Sequence, residues 1–208
     1  MEYVLRTKSL TKKFGSKIAV NAVDMNVAKG DIYGFIGRNG AGKTTAMKLI
    51  LGLLNATEGE IELFGGEPLE KARGRIGSLI ESPGIYKNCT AYENMKRFSI
   101  IYGGTDEDIA QLLKFVGLEN TGNKKAGRFS LGMKQRLGMA IAMLGNPEFL
   151  ILDEPINGLD PEGIKDVRNA VLNLNEQKGV TFLISSHLLD ELAKIVTRYG
   201  IINNGVLT

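Results

Sequence analysis

A glycine-rich segment between a predicted strand and a predicted helix constrains this chain more than any other feature. Residues 37–45 read Gly-Arg-Asn-Gly-Ala-Gly-Lys-Thr-Thr. The mostly apolar run 31–36 predicts a buried strand, and residues 43–53 carry apolar side chains at helical spacing. The pattern G-x-x-x-x-G-K-[ST] between a strand and a helix is the signature of a phosphate-binding loop, the P-loop. The feature predicts an α/β fold.

The residue types of this loop explain how it would bind phosphate. Gly37, Gly40 and Gly42 let the backbone curl so that its N–H groups point inward. The N-terminus of the following helix adds unpaired N–H donors and a partial positive charge. We predict that Lys43 reaches the β- and γ-phosphates and that the Thr44 hydroxyl ligates Mg²⁺. A glycine-rich turn without a ligand is the alternative, but the flanking strand and helix favour a nucleoside triphosphate site.

Composition excludes several functional classes. The 26 basic and 23 acidic residues give a net charge of +3, too small to indicate nucleic acid or an anionic membrane as the main partner. The single cysteine, Cys89, excludes an internal disulfide and is compatible with the cytosol. The N-terminus does not resemble a signal peptide, and no stretch approaches 18 apolar residues. If the protein works at a membrane, we expect another chain to supply the span.

The order of strand and helix patterns along the chain predicts that the fold has three parts. Residues 3–9 and 18–27 are expected to be strands of a small antiparallel sheet, separated by a basic turn over 10–15. Residues 83–147 are predicted to be a mainly helical insertion, in which Thr90-Ala-Tyr-Glu93 forms a capping box. The fold class is then α/β: a P-loop NTPase core with a mostly parallel sheet, an N-terminal antiparallel β subdomain and an inserted helical subdomain.

The last third of the chain returns to the α/β pattern. Asp160 and Pro161 are expected to begin a helix that ends near residue 178, and another helix is predicted over 188–197. Residues 200–208 predict a strand, a turn and the start of a returning strand. We therefore expect the chain to continue beyond Thr208.

Two adjacent carboxylates, Asp153 and Glu154, follow the apolar run 149–152. Because open α/β sheets bind ligands at the carboxyl ends of their strands, we expect both to lie beside the P-loop. Asp153 is then placed to hold Mg²⁺, directly or through water. Glu154 is placed to orient or deprotonate a water that attacks the γ-phosphate. The alternative is that both residues only cap a strand.

Three further residues carry a structural and a functional interpretation. Phe14 lies in the predicted basic turn, where its ring could stack on a flat base or cap the core. His187, the only histidine, follows a predicted buried strand and could hydrogen-bond the γ-phosphate and the attacking water, or be structural. Ser130 begins a predicted helix over 130–144, either as an ordinary N-cap or as part of an anion site.

Together these motifs resemble the ATP-binding cassette (ABC) ATPases over essentially the whole chain. Residues 37–45 match the P-loop, and Phe14 falls at the family's adenine-stacking aromatic. Residues 130–136 resemble the family signature, and 149–154 resemble the Walker B strand with its catalytic glutamate. Residues 157–160 look like the D-loop and His187 like the switch histidine.

Two motifs depart from the family pattern. The signature keeps Ser130 and Gly132 but has Leu131 and Met133 in place of Gly and Gln. The Q-loop position holds Glu81 rather than glutamine; a carboxylate there can ligate Mg²⁺, although a misaligned surface glutamate is the alternative. With Phe-Ser-Leu-Gly-Met at 129–133, this glutamate resembles the subgroup that exports bacitracin or lantibiotic peptides for self-protection.

The resemblance implies an ATPase that uses ATP and Mg²⁺ and acts as a head-to-tail dimer with two ATP molecules at its interface. It implies Glu154 and His187 as catalytic residues and Thr44, Glu81 and Asp153 as Mg²⁺ ligands. The implied nucleotide-binding residues are Phe14, Gly37, Arg38, Asn39, Gly40, Ala41, Gly42, Lys43, Thr44 and Thr45, with Ser130 and Gly132 acting on the opposite subunit's nucleotide.

The resemblance also implies a membrane-spanning permease subunit that holds the protein at the cytoplasmic face of the cell membrane. The helical insertion and loop 81–86 are the expected docking surface, where Ile85 and Tyr86 would meet the permease. No nucleic-acid partner is expected, since the chain has no basic tract. A soluble ABC-type ATPase that is not coupled to transport is the alternative. Glu154 and His187 disfavour a module that binds ATP without hydrolysing it.

Overall fold

The computed structural model describes residues 2–208, which form two β-sheets and a set of helices. The strands in chain order are β1 (Tyr3–Phe14), β2 (Lys17–Val23), β3 (Asn26–Ala28), β4 (Ile32–Ile36), β5 (Glu58–Leu63), β6 (Ile76–Leu79), β7 (Phe149–Asp153), β8 (Thr181–Ser186), β9 (Arg198–Asn203) and β10 (Val206–Leu207). The α-helices are α1 (Lys43–Ile50), α2 (Leu69–Arg73), α3 (Ala91–Tyr102), α4 (Asp106–Phe115), α5 (Leu131–Ala142), α6 (Pro161–Lys178) and α7 (Leu189–Leu192).

The larger sheet has the strand order β10-β9-β4-β8-β7-β6. From β9 to β6 neighbouring strands are parallel, and β10 is antiparallel to β9. Every residue of β4, β7 and β8 is buried, as expected for parallel strands covered on both faces. The mostly parallel core sheet is therefore confirmed. Because β4, β8 and β7 run parallel, the P-loop that follows β4 and the end of β7 lie at the same edge of the sheet.

The smaller sheet is antiparallel, with β1 paired to β2, β3 and β5, which confirms the predicted N-terminal β subdomain. The predicted turn over 10–15 was wrong, since β1 continues through this segment to Phe14. Lys12, Lys13 and Phe14 pair with residues of β2, and only residues 15–16 make the turn. Cross-strand backbone pairing tolerates lysines because one face of an antiparallel sheet can contact water.

Helices α3, α4 and α5 lie between β6 and β7, as predicted for the helical insertion. The capping box is present: Thr90 Oγ1 accepts from the Glu93 N–H, and a Glu93 oxygen accepts from the Thr90 N–H. Met95, Ile109 and Leu137 are completely buried and join the hydrophobic core on this side of the larger sheet. The insertion is thus packed against the core rather than appended to it.

Helix α6 begins and ends where the sequence predicted, but α7 is shorter than the predicted helix over 188–197. The chain leaves the helix after Leu192 because Thr197 is hydrogen-bonded to β4. Its N–H donates to Ile32 O at 2.9 Å, and its Oγ1 accepts from the Ile32 N–H at 3.0 Å. This attachment positions β9 against β4. Among residues 2–208, none of the helices combines the length and apolar character that a membrane span requires.

Candidate active site

The P-loop curls between β4 and the N-terminus of α1, and two of its glycines are required by their surroundings. Gly42, the N-cap of α1, has a φ of 112°, which side chains of L-residues rarely allow. A Cβ added to Gly37 would lie 2.5 Å from Ile202 O, and one added to Gly42 would collide with Ala19 O. Main chain from β2 and β9 therefore presses against the loop and fixes its shape.

The ammonium group of Lys43 lies inside this loop, and its side chain is only 5% exposed. Nζ donates to Gly37 O at 2.5 Å and to Arg38 O at 3.2 Å. It also lies 3.1 Å from Glu154 Oε1. One lysine thus connects the start of the loop to the carboxylate that follows β7, and it presents a positive charge to any phosphate in the loop.

Thr44 and Asp153 meet at the sheet edge although they are 109 residues apart. Thr44 Oγ1 donates to Asp153 Oδ2 at 2.7 Å, and Asp153 is 3% exposed. A hydroxyl and a carboxylate held together supply the hard oxygen donors that Mg²⁺ prefers, and Mg²⁺ commonly uses one or two such protein ligands plus substrate phosphates. These two side chains therefore fit a Mg²⁺ site.

Glu154 connects Lys43 to His187. Its Oε2 lies 2.8 Å from His187 Nδ1, while its Oε1 faces Lys43. The side chains of Glu154 and His187 are 18% and 30% exposed, so both remain reachable from solvent. Glu154 has a φ of 49°, an unusual left-handed conformation for a residue with a side chain. The carboxylate is thus held between a cation and an imidazole at the mouth of the site.

A cleft of about 300 Å³ opens above the P-loop. Its lining combines the end of the β1–β2 hairpin with the loop and Glu154: Phe14, Lys17, Ala19, Asn39, Gly40, Gly42, Lys43, Thr44, Thr45 and Glu154. The Phe14 ring is 48% exposed, and Lys12 Nζ lies 5.1 Å from its centroid. An exposed ring beside a phosphate-binding loop offers a surface on which a planar base can stack. Arg38 and Ala41 contribute main chain to the loop.

The residues with expected site roles that do not line this cleft include Ser130, Gly132 and Glu81. Ser130 is the N-cap of α5, and its Oγ accepts from the Met133 N–H at 3.2 Å. Gly132, in the first turn of α5, lies next to Leu159. Glu81 accepts a hydrogen bond from Lys48 Nζ at 2.6 Å, and its side chain is 64% exposed. Within one chain, these residues form separate surfaces.

Sequence reasoning missed three residues that belong to the site. Lys17 and Ala19 line the cleft from β2, and only the pairing of β2 with β1 reveals their position. Ser185, near the end of β8, hydrogen-bonds both Asp153 and Glu154. A hydroxyl within an otherwise apolar strand was the available sequence signal for Ser185.

Comparisons with known proteins show the family of this chain. The family described as ABC transporter matches residues 20–157. The bacitracin transport ATP-binding protein BcrA of Bacillus licheniformis is 47% identical over 211 residues, covering 100% of this chain and 69% of the relative. The lantibiotic transport ATP-binding protein SrtF of Streptococcus pyogenes is 44% identical over 202 residues, covering 97% of this chain and 88% of the relative.

A solved structure shows the same fold. The dimeric ATP-binding cassette MJ0796, in a post-hydrolysis state bound to ADP and Pi, superposes with a TM-score of 0.85 at 26% identity. The match covers 98% of this chain and 96% of MJ0796. The sequence matches, the shared fold and the P-loop beside Asp153 and Glu154 lead to one conclusion: the chain belongs to the ABC transporter family and is its ATP-binding, ATP-hydrolysing component.

Proposed function

We propose that this ABC ATPase energises the export of a peptide antibiotic, or a similar substrate, through a separate membrane subunit. The catalytic part of this proposal rests on the contacts of Glu154 with Lys43 and His187. These contacts lie beside the Thr44–Asp153 pair. A phosphate-binding cation, a candidate base and an oxygen-donor pair converge at one sheet edge. The two relatives named for bacitracin and lantibiotic transport support the choice of substrate class.

Each side chain has a role that follows from its contacts. The P-loop N–H groups and Lys43 hold the phosphates, and Phe14 stacks on the base. Glu154 orients the water that attacks the γ-phosphorus and accepts its proton, while the bond from that phosphorus to the β-phosphate oxygen breaks to release ADP and phosphate. His187 holds the Glu154 carboxylate and contacts the γ-phosphate. Lys43 stabilises the negative charge of the transition state.

Thr44 and Asp153 hold Mg²⁺ in this proposal, and the ion when bound would neutralise phosphate charge. Glu81 is a third candidate ligand. Its pairing with Lys48 at 2.6 Å means that Glu81 must exchange one ionic partner for another to act there. Since that pair is largely exposed, its own contribution is small and the exchange costs little.

We place Ser130 and Gly132 at the nucleotide of a second cassette, in a homodimer that forms when ATP binds. Both lie at the start of α5, whose free N–H groups suit an anion, and neither lines the cleft of its own chain. The dimeric state of MJ0796 supports this arrangement. ATP held from both sides would join the subunits, and hydrolysis would release them.

The proposed permease contact lies along loop 81–86 and α3, at the cytoplasmic face of the membrane. Tyr86 is 51% exposed, while Ile85 packs partly against the core. A groove of about 200 Å³ between this loop, Phe98 and Tyr102 has a mixed polar and apolar lining and offers a place for a permease side chain. Ile100 and Ile101, 82% and 72% exposed, extend the apolar surface. Nucleic acid is not a proposed partner.

A resistance assay tests this function. In a strain that lacks the native gene, we would express the chain or its Glu154→Gln variant and measure the growth-inhibiting concentrations of bacitracin and a lantibiotic. We expect the wild-type chain to raise at least one of these concentrations and the variant to raise neither. Equal expression of both proteins is the control.

Two outcomes would contradict the proposal in different ways. Protection by Glu154→Gln equal to wild type would refute the role of Glu154 and of hydrolysis. ATPase activity without protection, and without a membrane chain that co-purifies, would favour the soluble ATPase instead.

A further inference from the structure

The Ser185 hydroxyl lies between the two acidic residues of the site and contacts both. It donates to Asp153 Oδ1 at 2.6 Å and accepts from the Glu154 N–H at 2.9 Å. Ser185 is paired with Asp153 across the parallel strands β8 and β7, and it is completely buried. A single hydroxyl therefore joins the carboxylate of one site residue to the main chain of the next.

We propose that Ser185 is a positioning residue that sets the orientation of Asp153 and the backbone of Glu154. The inference rests on the proposed roles of those two residues, and it gives Ser185 a role that acts through them. Asp153 has one oxygen bound by Ser185 and the other by Thr44. Because the terminal torsion of an aspartate is otherwise broad, these two bonds fix the plane of the carboxylate and keep Oδ2 directed at Thr44.

The bond to the Glu154 N–H supports a strained turn. A left-handed conformation at a residue with a side chain is strained and persists only where its surroundings hold it. Glu154 has a φ of 49°, and its N–H uses the Ser185 oxygen at the point where β7 ends. This turn directs the Glu154 carboxylate to Lys43 and His187, so losing the bond would loosen both contacts.

The test compares three variants. Ser185→Ala removes the hydroxyl, and Ser185→Thr keeps it. Thr181→Val removes a buried hydroxyl at the opposite end of β8, where Thr181 Oγ1 accepts from the Gly30 N–H at 2.9 Å, away from the site. Ser185→Cys, which keeps a weak donor of similar size, replaces Ser185→Ala if that variant does not fold.

Three measurements separate positioning from general stability. Hydrogen exchange at the Glu154 amide reports the N–H bond without any ligand. Calorimetry gives ATP affinity with Mg²⁺ and with EDTA, and steady-state kinetics give kcat and KM. For Ser185→Ala we expect faster amide exchange, a lower ratio of Mg²⁺-dependent to Mg²⁺-free affinity, and a kcat reduced by roughly 10–100-fold. Ser185→Thr should recover most of each value.

The outcomes decide the inference independently of the proposed function. It is overturned if Ser185→Ala keeps wild-type exchange, affinity ratio and kcat. It is also overturned if Thr181→Val loses as much kcat as Ser185→Ala at an equal loss of melting temperature, since the effect would then be structural. If the wild-type chain hydrolyses no ATP, the proposed function fails, while amide exchange still tests the contact of Ser185.

Discussion

Lys43 and Glu154 are the two charges that meet within the cleft. Lys43 is buried in the P-loop with its ammonium 3.1 Å from Glu154 Oε1, and both side chains also bind other groups. A phosphate that reaches Lys43 must therefore share it with Glu154. This contact makes the lysine a structural partner of the carboxylate as well as the proposed ligand for the nucleotide.

Lys43→Ala is expected to weaken ATP binding. A hydrogen bond to a charged group contributes about 1.5–3 kcal/mol, which corresponds to roughly a 10–150-fold loss of affinity. Isothermal titration calorimetry measures the change, and circular dichroism verifies folding. Lys114→Ala, at an exposed lysine in the last turn of α4, is the matched control and should bind ATP as wild type does. Equal affinity in both variants would refute the phosphate contact of Lys43.

The packing of strand β6 against helix α5 sets the distance between the helical insertion and the core. Strand β6 packs directly against α5 at Gly77, where a Cβ would collide with Ala142 O and lie 2.6 Å from Leu150 Cδ2. Glycine is needed here for the close approach of two backbones. The contact joins the insertion to the larger sheet beside Leu150 of β7.

Gly77→Ala is expected to destabilise the protein by about 1–3 kcal/mol, since the added methyl group overpacks this contact. The melting temperature should fall by roughly 2–4 °C for each kcal/mol. Gly84→Ala is the control because a Cβ there meets no atom within 4 Å. Thermal unfolding of both variants measures the effect, and equal melting temperatures would contradict the packing argument.

The capping box of α3 gives the helical insertion a pH dependence. The hydrogen bond from the Thr90 N–H, and then the Lys125 ammonium, lower the pKa of Glu93 below its usual 4.5. Because the pKa of Glu93 is lower in the folded protein, its stabilising contribution is complete above the pKa in the unfolded chain. It is lost as pH falls through the lower pKa in the folded protein.

We therefore expect wild type to be more stable than Glu93→Gln at neutral pH, and the difference to shrink as pH falls below about 4.5. Thermal unfolding of both proteins over a pH series measures this. Glu119→Gln, at an exposed glutamate outside the capping box, controls for loss of charge alone. A Glu93→Gln difference that does not change with pH would disprove the ionic part of the cap.

At the scale of the whole molecule, one chain carries two separate halves of the proposed site. The P-loop cleft lies at the edge of the larger sheet, and the start of α5 with Ser130 lies outside it. A dimer is the arrangement that would combine them. Loss of hydrolysis should favour this dimer because the shared ATP would persist.

Light scattering of Glu154→Gln is the measurement for this prediction. We expect a shift from monomer to dimer on addition of Mg-ATP, and no shift when Ser130→Arg is added to the same chain. Calorimetry must show that both proteins still bind ATP. A monomer with bound ATP in Glu154→Gln would mean that two copies of this chain do not complete the site.

Local sequence patterns were enough to predict the fold class and the family of this protein. The P-loop, the Asp153–Glu154 pair and the capping box are each encoded by adjacent residues, because glycine conformations, strand burial and helix caps depend on local patterns. The comparisons confirm the family and the fold. The roles of individual site residues remain predictions that the geometry supports.

Tertiary structure alone decided which distant residues meet. Ser185 contacts Asp153 over a separation of 32 residues, and Lys48 contacts Glu81 over 33, because helix and strand packing selects partners that no local pattern identifies. The same cause corrected two predicted elements. Pairing with β2 extended β1 to Phe14, and the two hydrogen bonds between Thr197 and Ile32 of β4 shortened α7. In both places, hydrogen bonds to a neighbouring strand outweighed the local preference for a turn or a helix. The reason is that backbone N–H and C=O groups require partners when they are buried.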